Sequence, residues 1–161
     1  MTIEFIETSI GLINVFNMKT IFTNGCYDIL HLGHMALFEY AKSLGDRLIV
    51  GIDSDERVKK AKGSSRPINT SDVRKKMLLC LKYVDDVRIF NSDQELSLLV
   101  KEINPDIMVV GSDWKNKKVI GSEYAKEVKF FERIPNYSTT ETISCITLGR
   151  NMSWWIPFWW M

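Results

Sequence analysis

Near the start of the chain a β-prone run, a glycine turn and a helical pattern follow one another, and this order limits the folds that the chain can adopt. Residues 20–23 are a short apolar run that ends at Asn24-Gly25, a pair suited to a tight turn. Over residues 33–43 the apolar side chains recur at helical spacing, and Gly45 supplies a C-terminal stop. These segments predict a buried first strand and the first helix of a βαβ unit.

The alternation of strand and helix patterns continues along the chain. Residues 47–52 have the continuous apolar character of a parallel strand covered on both faces. Residues 53–69 are polar and basic with Gly63 and Pro67, which predicts a long mobile loop. Later strands are predicted at 86–90, 107–110 and 128–131. Later helices are predicted at 70–83, with an inner face of Val73, Met77, Leu78 and Leu81, at 92–103, at 122–127 and from Ser138 onward.

The repeated alternation predicts an α/β fold, a doubly wound open parallel sheet of the Rossmann-like type in a single domain. At 161 residues, with 45% hydrophobic residues, the chain is long enough to bury one core. The domain is expected to cover residues 18–146, preceded by residues 1–17 as an N-terminal extension and followed by residues 147–161 as a tryptophan-rich tail. Three explanations fit the tail: it packs on a dimer partner, it lies at a membrane interface, or it is the product of an altered reading frame. Its sequence favours none of these.

The charge and cysteine content exclude several classes of protein. A formal net charge of +1 gives no global attraction to nucleic acid or to an anionic membrane, so any anion site must be a local basic cluster. The three cysteines are an odd number without paired metal-ligand spacing, which suits a reducing compartment. No apolar run of the sequence approaches the ~20 residues that cross a bilayer, and the N-terminus lacks the basic start of a secretory signal. A cytoplasmic protein with no nucleic-acid partner is therefore expected.

Both histidines of the chain lie in one short element after the first strand. His31 and His34 are three residues apart at a predicted helix N-terminus, so both imidazoles can point to one side. Gly33 lets a phosphate approach the backbone, and the free N–H groups and the helix dipole favour anions there. A polyphosphate site explains this arrangement better than a helix cap and a surface histidine. A zinc pair would need further ligands, for which only Cys26 and Asp28 are near.

The segment from residue 23 to residue 34 resembles the His-x-Gly-His signature of the cytidylyltransferase-like nucleotidyltransferases. Members of that family include glycerol-3-phosphate cytidylyltransferase and the adenylyltransferase domain that makes ADP-heptose from heptose 1-phosphate. The resemblance covers roughly residues 19–143 and carries several motifs in order. It implies a nucleotidyltransferase with the family's Rossmann-like fold.

Three further motifs carry the resemblance. Lys62 lies after the second strand, where the family has a lysine, and Arg74 matches an arginine on the phosphate side. Residues 111–114, Gly-Ser-Asp-Trp, resemble the family's glycine-x-aspartate-aromatic motif near the base and the acceptor. Arg133 followed by residues 138–140, Ser-Thr-Thr, is similar to the family's phosphate-binding helix start.

Each motif also has a plainer structural explanation. The basic residues around Lys62 fit a solvated surface loop, Trp114 fits a packing aromatic, and Ser138 fits a simple N-cap. Because the chain also contains the histidine element, we favour the interpretation in which the lysines close over a triphosphate. For Trp114 the functional and the structural explanations are equally good. A cap residue can also bind phosphate, so both roles of Ser138 can hold.

The resemblance implies a set of site residues. The catalytic residues are expected to be His31, His34, Lys62 and Arg133. The nucleotide-binding residues are expected to be Thr23, Asn24, Gly25, Tyr27, Asp28, Gly33, Arg74, Gly111, Asp113, Ser138, Thr139 and Thr140. Trp114 is expected to contact the acceptor. No protein metal site is expected, because Mg²⁺ would be bound mainly through the nucleotide phosphates, with Asp28 as an indirect contact.

The implied reaction is an in-line attack of an acceptor phosphate oxygen on the α-phosphorus of ATP or CTP, with pyrophosphate leaving. Residues 65–69 and 120–122 resemble the heptose-phosphate adenylyltransferase branch, whereas Asp113-Trp114 resembles the glycerol-phosphate cytidylyltransferase branch. The first branch is favoured, so ATP and a sugar 1-phosphate are the expected substrates, with CTP and glycerol 3-phosphate as the alternative. Family members are commonly dimers, which implies a homodimer here.

Two other classes of protein match parts of the pattern. A catalytically silent nucleotide-binding or membrane-attached regulatory module would keep the fold, and loss of a key histidine or basic residue would favour it. None of these residues is missing. An α/β signalling domain of the flavodoxin type would not need His31, His34 and the phosphate-binding helix start together.

Overall fold

A computed structural model of the chain describes residues 18–149. Within this range the strands are β1 (Thr20–Gly25), β2 (Arg47–Asp53), β3 (Asp86–Phe90), β4 (Ile107–Gly111) and β5 (Glu127–Phe131). The helices are α1 (Leu32–Ser43), α2 (Asp55–Lys62), α3 (Ser71–Leu79), α4 (Asp93–Ile103) and α5 (Thr139–Thr147). The predictions for residues 1–17 and for residues 150–161 of the tail lie outside the described residues.

All five strands of this range are parallel and lie in the order β3-β2-β1-β4-β5. The chain moves outward from β1 to β3 and then returns past β1 to begin β4 on its other side. The strand order therefore reverses between β1 and β4, which is the point where open α/β sheets bind ligands. The predicted doubly wound, Rossmann-like sheet is confirmed.

Apolar side chains cover both faces of the sheet. On one face α1 and α3 pack onto the strands through Phe38 and Leu78. On the other face α4 packs through Leu96 and Val100. Residues 48–52 of β2 are all buried, which explains the unbroken apolar pattern of that strand. No helix within residues 18–149 is long and apolar enough to span a membrane.

The structure corrects the loop predicted at residues 53–69, because residues 55–62 form helix α2. Ser54 caps this helix, and its Oγ accepts a hydrogen bond from the backbone N–H of Arg57 at 3.2 Å. Acidic residues in the first turn and lysines in the last turn complement the helix dipole. Val58 is the buried residue of this helix, so the polar run shows no apolar period from which a helix can be predicted.

Helix α3 is shorter than predicted and presents a different face to the core. It ends at Leu79, and Val73 and Met77 are exposed whereas Arg74 and Leu78 are buried. The side chain of Arg74 faces inward because it donates three hydrogen bonds to groups in the segments before the helix. The helix predicted at residues 122–127 is a single 3-10 turn at Ser122–Tyr124, followed directly by β5.

Candidate active site

A cavity of about 420 Å³ lies along the carboxyl ends of β2, β1, β4 and β5. Its wall includes Asn24 of β1, Asp53 of β2, Gly111 of β4 and Phe131 of β5. The N-terminal ends of α1 and α5 reach the same space. Because the cavity crosses the point where the strand order reverses, it lies where this fold binds ligands.

The cavity brings together most of the predicted site residues. Those that line it are Thr23, Asn24, Gly25, Tyr27, His31, Gly33, His34, Lys62, Gly111, Asp113, Trp114, Arg133 and Thr139. The predicted residues that do not line it are Asp28, Arg74, Ser138 and Thr140. The cavity therefore unites the histidine segment, the lysine, the Gly-Ser-Asp-Trp motif and the arginine, which are far apart in the sequence.

His31 and His34 stack on each other at the N-terminus of α1, where His31 is the N-cap residue. The two ring centroids are 3.7 Å apart and the ring planes differ by 24°. The ring of Tyr27 meets His34 edge to face, with 5.0 Å between the ring centroids. A Cβ atom at Gly33 would lie 3.2 Å from the His31 ring, so the glycine gives His31 room to stack.

The Nδ1 atoms of His31 and His34 are both buried and have no hydrogen-bond partner within residues 18–149. A buried polar atom without a partner costs free energy, and such atoms in proteins are usually satisfied by a protein group, water or a ligand. A phosphate group offers several acceptor oxygens to N–H donors that lie close together. The unpartnered nitrogens therefore favour an anionic ligand at this end of the cavity.

The two imidazoles are neutral at neutral pH. Burial is the main cause that lowers the pKa of His34 to about 3, and the coupling to His31 and the positive charges of Lys62 and Arg133 contribute to the same shift. Burial and the charge of Arg133 also lower the pKa of His31. The free site thus offers neutral N–H groups flanked by cations, and a bound phosphate would shift both rings back toward the protonated form.

These neutral histidines are expected to make the folded chain less stable in acid. An unfolded histidine binds a proton near pH 6.5 and folded His34 binds one only near pH 3, so the unfolded state binds more protons between these values. The free energy of unfolding should therefore decrease as the pH falls through this window. His34→Asn should show a smaller decrease between about pH 7 and about pH 5. Urea unfolding at both pH values measures this, and an equal decrease in both proteins would contradict the low pKa of His34.

Lys62 and Arg133 bring positive charge to the cavity from two different elements. Lys62 is the last residue of α2 and is exposed, so it lies at a helix end rather than on the predicted loop. The Nε atom of Arg133 forms an ion pair with Oδ1 of Asp113 at 3.0 Å, and the arginine side chain is 71% exposed. Exposed ion pairs contribute little stability, so a phosphate can replace Asp113 as the partner of Arg133. A Cβ atom at Gly111 would lie 2.5 Å from Asp113 Oδ1, so this arrangement needs a glycine.

Asp28 is buried outside the cavity wall and is fully engaged with protein groups. Its carboxylate accepts hydrogen bonds from Arg66 Nε at 2.7 Å, Ile68 N at 2.9 Å and Asn69 N at 2.8 Å. Burial by itself raises the pKa of a carboxyl, but these hydrogen bonds and the charge of Arg66 outweigh it and lower the pKa of Asp28. Asp28 therefore holds residues 66–69 against the histidine segment, a role different from the expected contact with Mg²⁺ or nucleotide.

Arg74 is also buried outside the cavity wall, with 1% of its surface exposed. Its guanidinium donates to the carbonyl oxygens of Asn69 at 3.0 Å and Cys26 at 2.7 Å, and to Asp55 Oδ1 at 2.7 Å. Cys26 belongs to the segment that leads to the histidines, and Asp55 begins the helix that carries Lys62. Arg74 therefore ties together two segments of the cavity wall, whereas the sequence motif predicts a direct contact with the nucleotide.

The Ser-Thr-Thr segment begins helix α5. The Oγ atom of Ser138 accepts a hydrogen bond from the backbone N–H of Glu141 at 3.0 Å, which confirms the N-cap. Thr139 lines the cavity, and its Oγ1 donates to the carbonyl of Ile29 at 3.4 Å. Thr140 is exposed and lies outside the wall. Of the two threonines in the motif, Thr139 therefore lines the cavity and Thr140 does not.

Sequence reasoning missed part of the cavity wall. Asp53 could have been found, because it directly follows a predicted parallel strand at the edge where ligands bind. Arg57 was hidden because its helix was predicted as a loop. Ile120 lies in the segment 120–122 that resembles the heptose-phosphate branch, and Cys26 was considered only as a zinc ligand. The remaining residues gave no signal, because their patterns are those of ordinary core or loop residues: Leu37, Leu96, Met108, Val110, Val119, Phe131, Ile134 and Tyr137.

Within residues 18–149, no three His, Cys, Asp or Glu side chains lie close enough together to hold a metal ion. A magnesium ion that arrives with a nucleoside triphosphate is held mainly by phosphate oxygens and by water, so it needs no such cluster. Magnesium is therefore expected as part of the nucleotide substrate.

The fold and the cavity define a Rossmann-like α/β protein with a ligand-binding cavity at the carboxyl ends of its parallel strands. The Cytidylyltransferase-like family matches residues 22–145 of the chain. The chain belongs to this family, and its enzyme class is nucleotidyltransferase.

Similar proteins of known name agree with this assignment. The chain is 48% identical to the bifunctional protein HldE of Campylobacter fetus over 126 residues and to that of Helicobacter hepaticus over 132 residues, which are 78% and 82% of this chain. The matches cover 27% of each relative, so the chain spans just over a quarter of their length. The crystal structure of the lipopolysaccharide core biosynthesis protein from Thermoplasma volcanium superposes with a TM-score of 0.55 and 27% identity, covering 76% of this chain and 100% of that one.

Proposed function

We propose that this chain transfers an adenylyl group from ATP to a sugar 1-phosphate of the heptose type and releases pyrophosphate. The observation that carries the proposal is the stacked pair of His31 and His34, whose buried Nδ1 atoms lack partners in a cavity that Lys62 and Arg133 also line. The similarity to HldE favours the heptose 1-phosphate branch of the family over the cytidylyltransferase branch. Residues 65–69 and 120–122 also resemble that branch.

In the proposed reaction a phosphate oxygen of the acceptor attacks the α-phosphorus of ATP. The new P–O bond forms while the bond from the α-phosphorus to the oxygen that bridges to the β-phosphate breaks, and pyrophosphate leaves. The histidines donate N–H groups to the α-phosphate region, and Lys62 and Arg133 neutralise the charge that develops on the leaving group. The enzyme supplies position and charge, so the reaction needs no covalent intermediate on the protein.

The other predicted residues, except Thr140, divide into three proposed groups. Asp28, Arg74, Ser138 and Thr140 lie outside the cavity, and we propose that the first three support its wall. Trp114 is 40% exposed in the wall and takes the acceptor side in this proposal. The residues proposed to surround the nucleotide are Thr23, Asn24, Gly25, Tyr27, Gly33, Gly111, Asp113 and Thr139.

A second candidate function is the transfer of a cytidylyl group from CTP to glycerol 3-phosphate. The observation that favours it is the presence of both Asp113 and Trp114 in the cavity wall, because this pair resembles the cytidylyltransferase branch. The ammonium group of Lys117 lies 5.3 Å from the centre of the Trp114 ring, which adds a cation beside that residue. The positive charge of Lys117 can attract the phosphate of the acceptor in either reaction.

The substrates are tested by pyrophosphate release with ATP or CTP, each combined with heptose 1-phosphate, other sugar 1-phosphates or glycerol 3-phosphate. We expect ATP with heptose 1-phosphate to give the highest kcat/KM, at least about tenfold above CTP with glycerol 3-phosphate. His34→Ala serves as the inactive control for contaminating activity. The reverse order would establish the second candidate. Nucleotide binding without release from any pair would instead identify a silent binding module.

The proposal includes a cytoplasmic location and a homodimer. The homodimer rests on the family resemblance and the cytoplasmic location on the cysteine content of the sequence, and neither is needed for the geometry of the cavity within one chain.

A further inference from the structure

The end of the cavity at β2 carries polar groups that the proposed nucleotide site leaves unused. Asp53 ends β2, Arg57 lies one turn further on in α2, and both line the cavity. In the sheet, β2 lies on one side of β1 while β4 and β5, which lead to Asp113 and Arg133, lie on the other. The histidines follow β1, between these two ends. A nucleotide held by the histidines and Arg133 leaves the polar groups of the β2 end for hydroxyl groups of the second substrate, in addition to the contact proposed for Trp114.

Asp53 and Arg57 form a partly buried pair whose geometry is fixed by several contacts. The Nε atom of Arg57 donates to Asp53 Oδ1 at 2.6 Å, and its Nη2 donates to Asp93 Oδ1 at 2.5 Å. The guanidinium also lies over the ring of Phe90, 5.4 Å from its centre. The side chains of Arg57 and Asp53 are 28% and 21% exposed. A pair held in this way loses little conformational entropy when it binds a ligand.

One atom of each partner remains available. Among residues 18–149, neither Asp53 Oδ2 nor Arg57 Nη1 has a hydrogen-bond partner. The carboxylate oxygen can only accept a hydrogen bond and the guanidinium nitrogen can only donate one. A hydroxyl group does both, so two neighbouring hydroxyls of a sugar can donate to Asp53 and accept from Arg57 at once.

Apolar side chains line the same cavity. Leu96, Met108, Val119 and Ile120 come from the layer that α4 forms on one face of the sheet. They exclude water around the ligand, which strengthens hydrogen bonds to the charged pair. They also offer a surface to the C–H groups of a sugar ring. The combination is typical of a site for a polyhydroxylated molecule.

We propose that Asp53 and Arg57 form the acceptor-recognition pair of this enzyme and select an acceptor that carries neighbouring hydroxyl groups. This inference rests on the proposed function, since it names the residues that bind the sugar in that reaction. It adds a specificity determinant at the β2 end of the cavity, on the helix that ends at Lys62.

The test is steady-state kinetics of pyrophosphate release by Asp53→Asn and Arg57→Gln with the acceptor that the wild-type enzyme uses best. Each variant should raise the KM for the acceptor at least about tenfold, because a hydrogen bond to a charged partner is lost, while the KM for the nucleotide stays within about twofold. The wild-type enzyme should prefer this acceptor over analogues that lack one hydroxyl, and the variants should lose that preference. Arg88→Gln is the matched control, because it breaks an exposed ion pair with Asp86 outside the cavity.

The outcomes separate this inference from the proposed function. If the wild-type enzyme is active and the variants keep the acceptor KM and the preference for hydroxyls, the pair is only structural and the inference is overturned while the function stands. An equal rise in both KM values would overturn it in the same way, and thermal melts identify a variant that fails to fold. If Asp53→Asn fails to fold, Asp53→Ser, which removes the charge and has a smaller side chain, is used for the same comparison. If the wild-type enzyme releases no pyrophosphate with any acceptor, both the function and this inference fail.

Discussion

His34→Ala is expected to lower kcat for pyrophosphate release by about 10²–10³-fold, the usual effect of removing one preorganised donor from a charged transition state. The reason lies in the geometry of the free site. His34 is held between the stacked ring of His31 and the edge of Tyr27, and burial keeps it neutral with its Nδ1 atom unpartnered. A donor fixed in advance does not have to reorganise when charge develops on the α-phosphate, so its loss affects the transition state more than substrate binding.

The measurement is kcat and KM for ATP at saturating acceptor, with His34→Asn as the matched variant. An asparagine side chain carries an N–H donor close to the position of the histidine Nδ1, so His34→Asn should retain more of kcat than His34→Ala. If His34→Ala raises the KM for ATP but leaves kcat unchanged, the histidine contributes only uniform binding. That result would contradict the transition-state role proposed for it.

The sheet and its ligand edge could be predicted because the information for them is local. Residues 48–52 are apolar without interruption, which only a strand covered on both faces explains, and the structure buries all of them. The histidines could be assigned to this edge because they follow β1 directly. Their stacking could not be predicted, since it depends on the room left at Gly33 and on the position of Tyr27.

The roles of some polar groups could not be predicted because they depend on partners that are distant in the sequence. Asp28 and Arg74 match family motifs, but the motif does not reveal that their polar atoms are satisfied by residues 66–69 and by Asp55. Helix α2 was missed for a related reason, because a cap and helix-dipole charges stabilise it rather than an apolar stripe. Arg57 was missed with it.

Arg74→Met is expected to lower the free energy of unfolding by about 3 kcal/mol, at the low end of the cost of removing one partner of a buried ion pair. The Arg74 side chain is fully buried, and methionine fills most of its volume but leaves Asp55 and the carbonyl oxygens of Asn69 and Cys26 without their donor. Urea unfolding measures the change. Arg88→Met is the matched control, because Arg88 forms an exposed ion pair with Asp86, and it should cost at most about 1 kcal/mol.

The same variant decides between two roles of Arg74. If Arg74 positions the cavity wall, Arg74→Met should lower both stability and kcat, because the histidine segment and the helix of Lys62 lose the group that joins them. Arg74→Lys should restore little, since an ammonium group cannot reach three acceptors in different directions as the planar guanidinium does. If Arg74 instead contacts the nucleotide directly, as the sequence motif predicts, Arg74→Met should raise the KM for ATP and leave the urea midpoint near that of the wild-type protein. Its complete burial and its three protein acceptors favour the first result.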